Sequence, residues 1–353
     1  MKRLLAELSS ADVIVCCGPG GVGKTTMSAS IAISGALSGR RVCVLTVDPA
    51  KRLADALGIE TLGNQPSRVP GIEGGSLDAL MLDTAKTFDD LISRYASSSE
   101  QVEAISANRL YRSLANALSG TQEYMAMEKL YELTTSGDYD LVVVDTPPSR
   151  NALDLLDAPR RLTSFLENRI FRALLVPTRA YLRAVSFATR ALLSTIGSVA
   201  GAELVNDAVT FFQAFAGMEE GFAQRAGAIH DRLRVDSTAF VLVTSPRPDA
   251  IAEAQFFADK LAEVNLRAAG VIVNRVHPRF THATIPAQAH AGGDLGELVE
   301  NLERLDTIAA NEELALSGLV AAVAPAPVAT VPLSNDDIHD LAGLSRLVIG
   351  DAK

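Results

Sequence analysis

The run Cys16-Cys17-Gly18-Pro19-Gly20-Gly21-Val22-Gly23-Lys24-Thr25-Thr26 sets four glycines and a proline directly ahead of a lysine and two threonines. Its core, Gly18 to Thr25, fits the pattern GxxxxGK[ST]. Glycine lets the backbone turn tightly and come close to phosphate oxygens, because no Cβ stands in the way. A helix opening at the end of such a loop aims its unpaired N–H groups at the same anion. Lys24 then supplies a point charge for the β- and γ-phosphates, and the Thr25 hydroxyl is a ligand for Mg²⁺. The pattern carries weight only between a strand and a helix; the apolar run before it and the helix-like run after it supply that context.

Acidic residues at strand ends extend this chemistry. "YDLVVVDTPPSR" ends an apolar strand in Asp145, where a carboxylate can hold a Mg²⁺-bound water. "VLTVDPAKRLADALG" ends another in Asp48-Pro49, with a helix expected to start near Lys51 and to include Asp55. Asp48 is thereby a candidate neighbour of the metal. Asp55 either orients and deprotonates the attacking water or is an exposed helix acid. Val271-Ile272-Val273-Asn274 leaves Asn274 at a strand end, where its amide could bond an adenine edge. No N/TKxD element, the usual guanine reader, occurs, so ATP is favoured over GTP.

The elements that must hold these residues follow from hydrophobic periodicity. Strands are expected over 12–17, 41–47, 77–82, 141–144, 239–244, 269–273 and 328–332. Several are rich in Val and Ile and apolar on both faces, the mark of a parallel sheet covered on both sides. Helix-period segments, such as 25–38 and 250–264, follow most of them. The pattern is a doubly wound, mostly parallel α/β domain. Two stretches break the alternation: 84–136 reads as three helices, and the span from 150 to 235 as several more. A span that long cannot be one crossover. The expected division is therefore a core of 1–83, 137–150 and 236–353, with a helical subdomain of 84–136 and 151–235 formed by insertions. The segments 63–75 and 277–293 read as mobile loops.

Composition narrows the classes. A chain of 353 residues, 48% hydrophobic, can bury a large core. A net charge of -10 disfavours broad nucleic-acid binding, and no nucleic-acid partner is expected. The three cysteines, Cys16, Cys17 and Cys43, lie in apolar strand-like runs and form no CxxC, so neither a zinc clasp nor a cysteine-ligated cluster is legible. Small buried residues in a reducing compartment are the simpler reading. No long uncharged apolar run and no leader-like N-terminus occur, which leads to the expectation of a cytoplasmic protein, with peripheral contact at a membrane left open.

"GPGGVGKTT", "DPAKRLADALG", "DTPPSR" and "VIVNR" stand in the order and spacing of the ArsA-like, anion-transporting ATPases, and the chain resembles that family from about Val13 to "VPLSNDDIHDLAGL". The family includes guided-entry ATPases that carry tail-anchored membrane proteins and belongs to the deviant-Walker phosphate-loop class. The resemblance implies that Gly18, Gly20, Gly21, Val22, Gly23, Lys24, Thr25 and Thr26 bind MgATP. It implies that Asp48, in the first switch, and Asp145, which begins the second, serve the metal with Thr25. Asp55 would act on the hydrolytic water, with Lys24 catalytic at the phosphates, and Asn274 would contact adenine. It also implies a homodimer, or a heterodimer with a paralogue, that closes on ATP.

Pro19 departs from the family pattern, G-K-G-G-x-G-K-T, whose first lysine reaches a partner's phosphates. Proline carries neither charge nor backbone N–H. Either a paralogue supplies the lysine, or Lys51, Arg52 or Arg150 replaces it, or hydrolysis is slow. The region after Asn274 lacks the zinc-clasp cysteines of guided-entry relatives, and the cysteines form no metalloid triad, so arsenite pumping is doubtful. His277, His282 and His290 match no standard metal spacing.

Within 160–190 the arginines 160, 161, 169, 172, 179, 183 and 190 interleave with apolar residues at helical spacing, opposed only by Glu167. Leu204, Ala208, Phe211, Phe212 and Phe215 then form an apolar face. Region 160–215 is thus a basic amphipathic surface for a membrane or hydrophobic client, an oligomer interface, or a solvated face over a bundle core. The functional alternatives are a non-hydrolysing subunit that senses nucleotide for a paralogue and a chaperone for hydrophobic membrane-protein segments. A weaker one is a positioning ATPase of the ParA/MinD kind.

Overall fold

The computed structural model describes residues 1–48, 51–109, 111, 121–147, 158, 163–164, 207, 210–211, 213–280, 293–334, 338 and 340–349. Arg150, His282, His290 and nearly all of the basic stretch 160–190 lie outside the described residues. Eight strands form one sheet: β1 Val13–Cys17, β2 Arg41–Thr46, β3 Ser67–Arg68, β4 Ser76–Met81, β5 Leu141–Asp145, β6 Thr238–Thr244, β7 Ala268–Val276 and β8 Val328–Pro332. Their order is β3-β4-β2-β5-β1-β6-β7-β8. Every neighbouring pair is parallel except β3 with β4. This is the doubly wound, mostly parallel sheet expected from the sequence.

The alternation of side chains shows why it is buried on both faces. Ile14 and Cys16 of β1 join Val42 and Val44 of β2, Val143 of β5 and Val241 and Val243 of β6 in one apolar cluster. Val13, Val15 and Cys17 point to the other face and are at most 1% exposed. A strand buried on both sides has no polar position to spare, which is why these runs read as continuous Val, Ile and Cys.

Among the described residues the helices are α1 Lys2–Glu7, α2 Lys24–Leu37, α3 Arg52–Leu57, α4 Thr84–Tyr95, α5 Ser99–Ala107, α6 Thr121–Thr135, α7 Glu219–Arg232, α8 Pro248–Glu263, α9 Gly293–Val323 and α10 Leu341–Ile349. In α2, Met27, Ala29, Ile31, Ala32, Ile33 and Ala36 are buried and join the cluster on the first face. At Gly35 a Cβ would stand 2.9 Å from Leu141 Cδ2 and 3.3 Å from Val42 Cγ2, so a larger residue there would make those side chains shift. α3 and α10 also pack on α2, and α8 packs on β6 and on α9.

The chain divides into two compact units, the first of Met1–Met81, Leu133–Leu153 and Asp236–Lys353, the second of Leu82–Glu132 and Asp154–Val235. The first holds the sheet. Among its described residues the second holds helices and the turns between them, and no strand. Its interior is a chain of rings: Phe88 on Tyr111 (centroids 5.3 Å apart), Tyr111 on Phe211 (6.3 Å), Phe211 on Phe215 (5.9 Å), Phe215 on Phe222 (5.0 Å) and Phe222 on Tyr95 (5.3 Å). Phe211 and Phe215, read from sequence as an apolar face, are each 5% exposed and belong to this interior. Beside them Arg225 grips Glu128 with both Nε and Nη2, and stands 4.0 Å over the Tyr131 ring.

Two local expectations change. Segment 63–75 is not wholly loop: β3 lies in it and pairs antiparallel with β4, with Val69 N donating to Leu77 O at 2.9 Å. β7 runs three residues past the expected end, to Val276, and carries Asn274 within it.

Candidate nucleotide-binding site

The candidate residues gather at the C-terminal ends of the parallel strands, where open α/β sheets bind ligands. In the central rows, Cys16 of β1 pairs with Asp145 of β5, which pairs in turn with Thr46 of β2. The sheet register alone therefore sets the base of the glycine loop beside a carboxylate and a hydroxyl.

The loop leaves β1 at Gly18, with φ 148°. A Cβ there would lie 2.0 Å from Val243 O on β6, so no other residue fits that close approach of two strands. Gly23 closes the loop as the N-cap of α2 in the left-handed region, φ 91°. Lys24, the first residue of α2, is 6% exposed, and its Nζ donates to Gly18 O at 2.9 Å and Pro19 O at 2.8 Å. The ammonium is thus held against the loop rather than in solvent. Burial lowers its pKa from the ordinary lysine value, and Asp145 opposes that shift most strongly.

Asp145 is 1% exposed. Its Oδ2 accepts hydrogen bonds from Thr25 Oγ1 at 2.7 Å and Thr46 Oγ1 at 3.0 Å. Its Oδ1 is buried with no hydrogen-bond partner among the described residues. Burial pushes this carboxyl up, against the two threonines and Lys24, which favour its charge. Asp48 stands on the other side of Thr46: its N–H donates to Thr46 Oγ1 at 3.3 Å, and its carboxylate pairs with Arg52 at 3.3 Å. An anionic oxygen left bare inside a protein is costly unless a donor or cation completes it. Asp145 Oδ1, the lone pairs of the Thr25 hydroxyl and the nearby Asp48 form an all-oxygen donor set that suits a hard divalent cation such as Mg²⁺.

Asp55 lies in the first turn of the six-residue α3 and is exposed. It is not part of the buried Thr25–Asp145–Thr46 group. Pro19 is buried. Of the cations considered as substitutes for a lysine there, Arg52 is engaged by Asp48, Lys51 is exposed, and Arg150 is among the undescribed residues.

Asn274 is 7% exposed, and its Nδ2 donates to Val22 O at 2.8 Å. The amide therefore braces the phosphate loop. A Cβ on Gly23 would fall 2.4 Å from that nitrogen, a second reason for glycine at this position. The residue that sequence reasoning missed is its neighbour. Arg275 Nη1 donates to Gly21 O at 3.2 Å, from a backbone at φ 63°. The only signal available was its place beside Asn274 at a strand end.

The three thiols play no part in this geometry. Cys16, Cys17 and Cys43 are buried and form no disulfide. Burial pushes the Cys16 thiol up to about 12, and that of Cys17 upward as well. Among the described residues no His, Cys, Asp or Glu cluster forms a further metal site. His277 Nδ1 instead meets Glu312 Oε1 of α9 at 2.7 Å. No described helix is long and apolar enough to cross a membrane.

The comparisons agree with this geometry. The family model described as anion-transporting ATPase matches residues 11–289. An uncharacterized protein of Streptomyces coelicolor is 31% identical over 82% of this chain and 68% of its own length. The ATPase ASNA1 homolog 1 of Paramecium tetraurelia is 32% identical over 45% of this chain and 46% of its own. The ATPase GET3 of Malassezia globosa is 35% identical over 46% of each chain. The chain thus spans somewhat less than half the length of these two named ATPases. The family match, with the phosphate loop seated at the centre of a mostly parallel sheet, makes the chain a member of the ArsA-like, anion-transporting ATPase family.

Proposed function

We propose that the chain is a Mg²⁺-dependent ATPase whose nucleotide state is coupled, through dimer closure, to its helical unit. The observation that carries the reading is the bare Oδ1 of Asp145, buried beside the Thr25 hydroxyl and Lys24 at the mouth of the loop. In this reading the amides of residues 20–26 cradle the phosphates and Lys24 leaves its loop carbonyls to neutralise the β- and γ-phosphates. Thr25, Asp145 and Asp48 hold Mg²⁺, directly or through its waters, and the ion supplies charge stabilisation at the phosphates. Asp55, exposed on a short helix next to the first switch, orients the attacking water and takes its proton.

Lys24→Ala is expected to abolish nucleotide binding, read by fluorescent-nucleotide titration. Asp55→Asn is expected to keep binding and lose at least about a hundredfold in turnover. Unaltered hydrolysis in Lys24→Ala would remove the assignment, and full turnover in Asp55→Asn would make Asp55 an ordinary surface acid.

Pro19 favours a second reading, in which this chain is the slower member of a pair and a lysine-bearing paralogue completes its site. Cross-subunit cationic help can be worth about a thousandfold or more. Turnover measured alone and after adding such a partner separates the two. A third reading gives region 160–215 the binding of a hydrophobic client, as the resemblance to tail-anchored protein carriers implies.

A further inference from the structure

Two adjacent carbonyls of the phosphate loop are gripped from one strand end. Asn274 holds Val22 O and Arg275 holds Gly21 O. In a regular strand, residues 274 and 275 would face opposite sides of the sheet. Here the register between β7 and β8 shifts between Asn274 and Val276, and Arg275 sits in the left-handed region at φ 63°. The irregularity turns both side chains toward the same loop, the kind of re-aiming for which bulges are found beside functional sites. A non-glycine residue at positive φ is strained and persists where its surroundings hold it there.

The consequence lies in the peptide plane. A trans peptide points its C=O and its N–H in opposite directions. Gly21 O shares a peptide with the N–H of Val22, and Val22 O shares one with the N–H of Gly23. Holding both oxygens on the β7 side commits both N–H groups to the opposite side. Glycine-rich backbone is otherwise free to flip such peptides. We infer that Arg275 is a positioning residue for phosphate binding, fixing the Gly21–Val22 peptide so that its N–H faces the anion, with Asn274 doing the same one peptide further on.

This rests on the nucleotide reading above, and the test separates the two. Arg275→Gly removes the guanidinium while leaving a residue that accepts φ 63° without strain; Arg275→Lys keeps a cationic donor on a long stem. Each purified full-length variant is titrated by displacement of a fluorescent ATP analogue, once with MgATP and once with inorganic tripolyphosphate and Mg²⁺. Arg275→Gly should weaken both ligands by the same factor, about tenfold for a lost charge-assisted hydrogen bond. Arg275→Lys should recover most of that loss. Unchanged affinity in Arg275→Gly would overturn the proposal, as would a lysine variant no better than glycine. Loss confined to ATP, with tripolyphosphate unaffected, would overturn it in favour of a contact with the base or sugar. Lys24→Ala is the control for the parent reading: if it still binds MgATP normally, the loop is not the nucleotide site and both inferences fall together. If only the Arg275 variants behave like the parent chain, the positioning role fails alone.

Discussion

At the residue scale the site is governed by one buried carboxylate. Asp145 keeps two threonine hydroxyls on a single oxygen and leaves the other bare. Without a cation its charge is a burden on the fold, because burial disfavours the ionised form. Asp145→Asn should therefore raise the melting midpoint of metal-free protein, by roughly 2–4 °C for each kcal/mol recovered. The same variant should lose the extra stability that Mg²⁺ and nucleotide give the parent chain. A melting series in chelator and in MgATP checks both; a variant that melts lower in chelator would mean that the carboxylate is a structural acceptor only. Of the site residues, those of the loop were legible because their spacing is itself the chemistry, and Asp145 because it ends an unbroken apolar strand. The role of Arg275 was not legible. An arginine gives no signal of positive φ, and the register shift that turns it depends on how β8 aligns with β7.

At the element scale, the strands were readable wherever burial on both faces forced a run of Val, Ile and Cys. β3 was not, because two residues, Ser67 and Arg68, are too few to show a period. In the helical unit the period left a groove and a bundle interior both open. Phe211 and Phe215 lie on one helical face whether that face lines a groove or a bundle interior, and only packing shows that these two rings are inside. The polar part of that interior gives a sharp contrast. Glu128, with its side chain 3% exposed, takes three hydrogen bonds from the largely buried Arg225 and one from the half-exposed Arg94. Glu128→Ala strands the Arg225 guanidinium and should cost about 3–5 kcal/mol, whereas Arg94→Ala, which loses only a 3.4 Å contact near solvent, should cost under about 1 kcal/mol. Denaturant unfolding of the two variants measures the difference, and equal losses would mean that Arg225 finds another partner.

At the scale of the whole molecule, the chain divides into a unit that holds the sheet and one whose described elements are helices. Oligomeric state leaves no comparable mark in one chain, where Pro19 stands at the position of the lysine that the resemblance implies would reach a partner's phosphates. Native mass measurement is expected to give twice the monomer mass in MgATP, alone or with a paralogue, and a smaller species without nucleotide. A single monomeric mass under both conditions would end the closure mechanism for this protein. The sealed thiols of β1 and β2 offer a direct way to watch that closure. With all three native sulfurs buried, and those of Cys16 and Cys17 held protonated, maleimide and spin-label reagents should pass the folded chain by. A cysteine introduced at exposed Leu298 and another at exposed Glu220 would then be the sole reactive handles. Their separation, read by resonance spectroscopy with and without nucleotide, would follow the two units in a wild-type background that needs no cysteine removed.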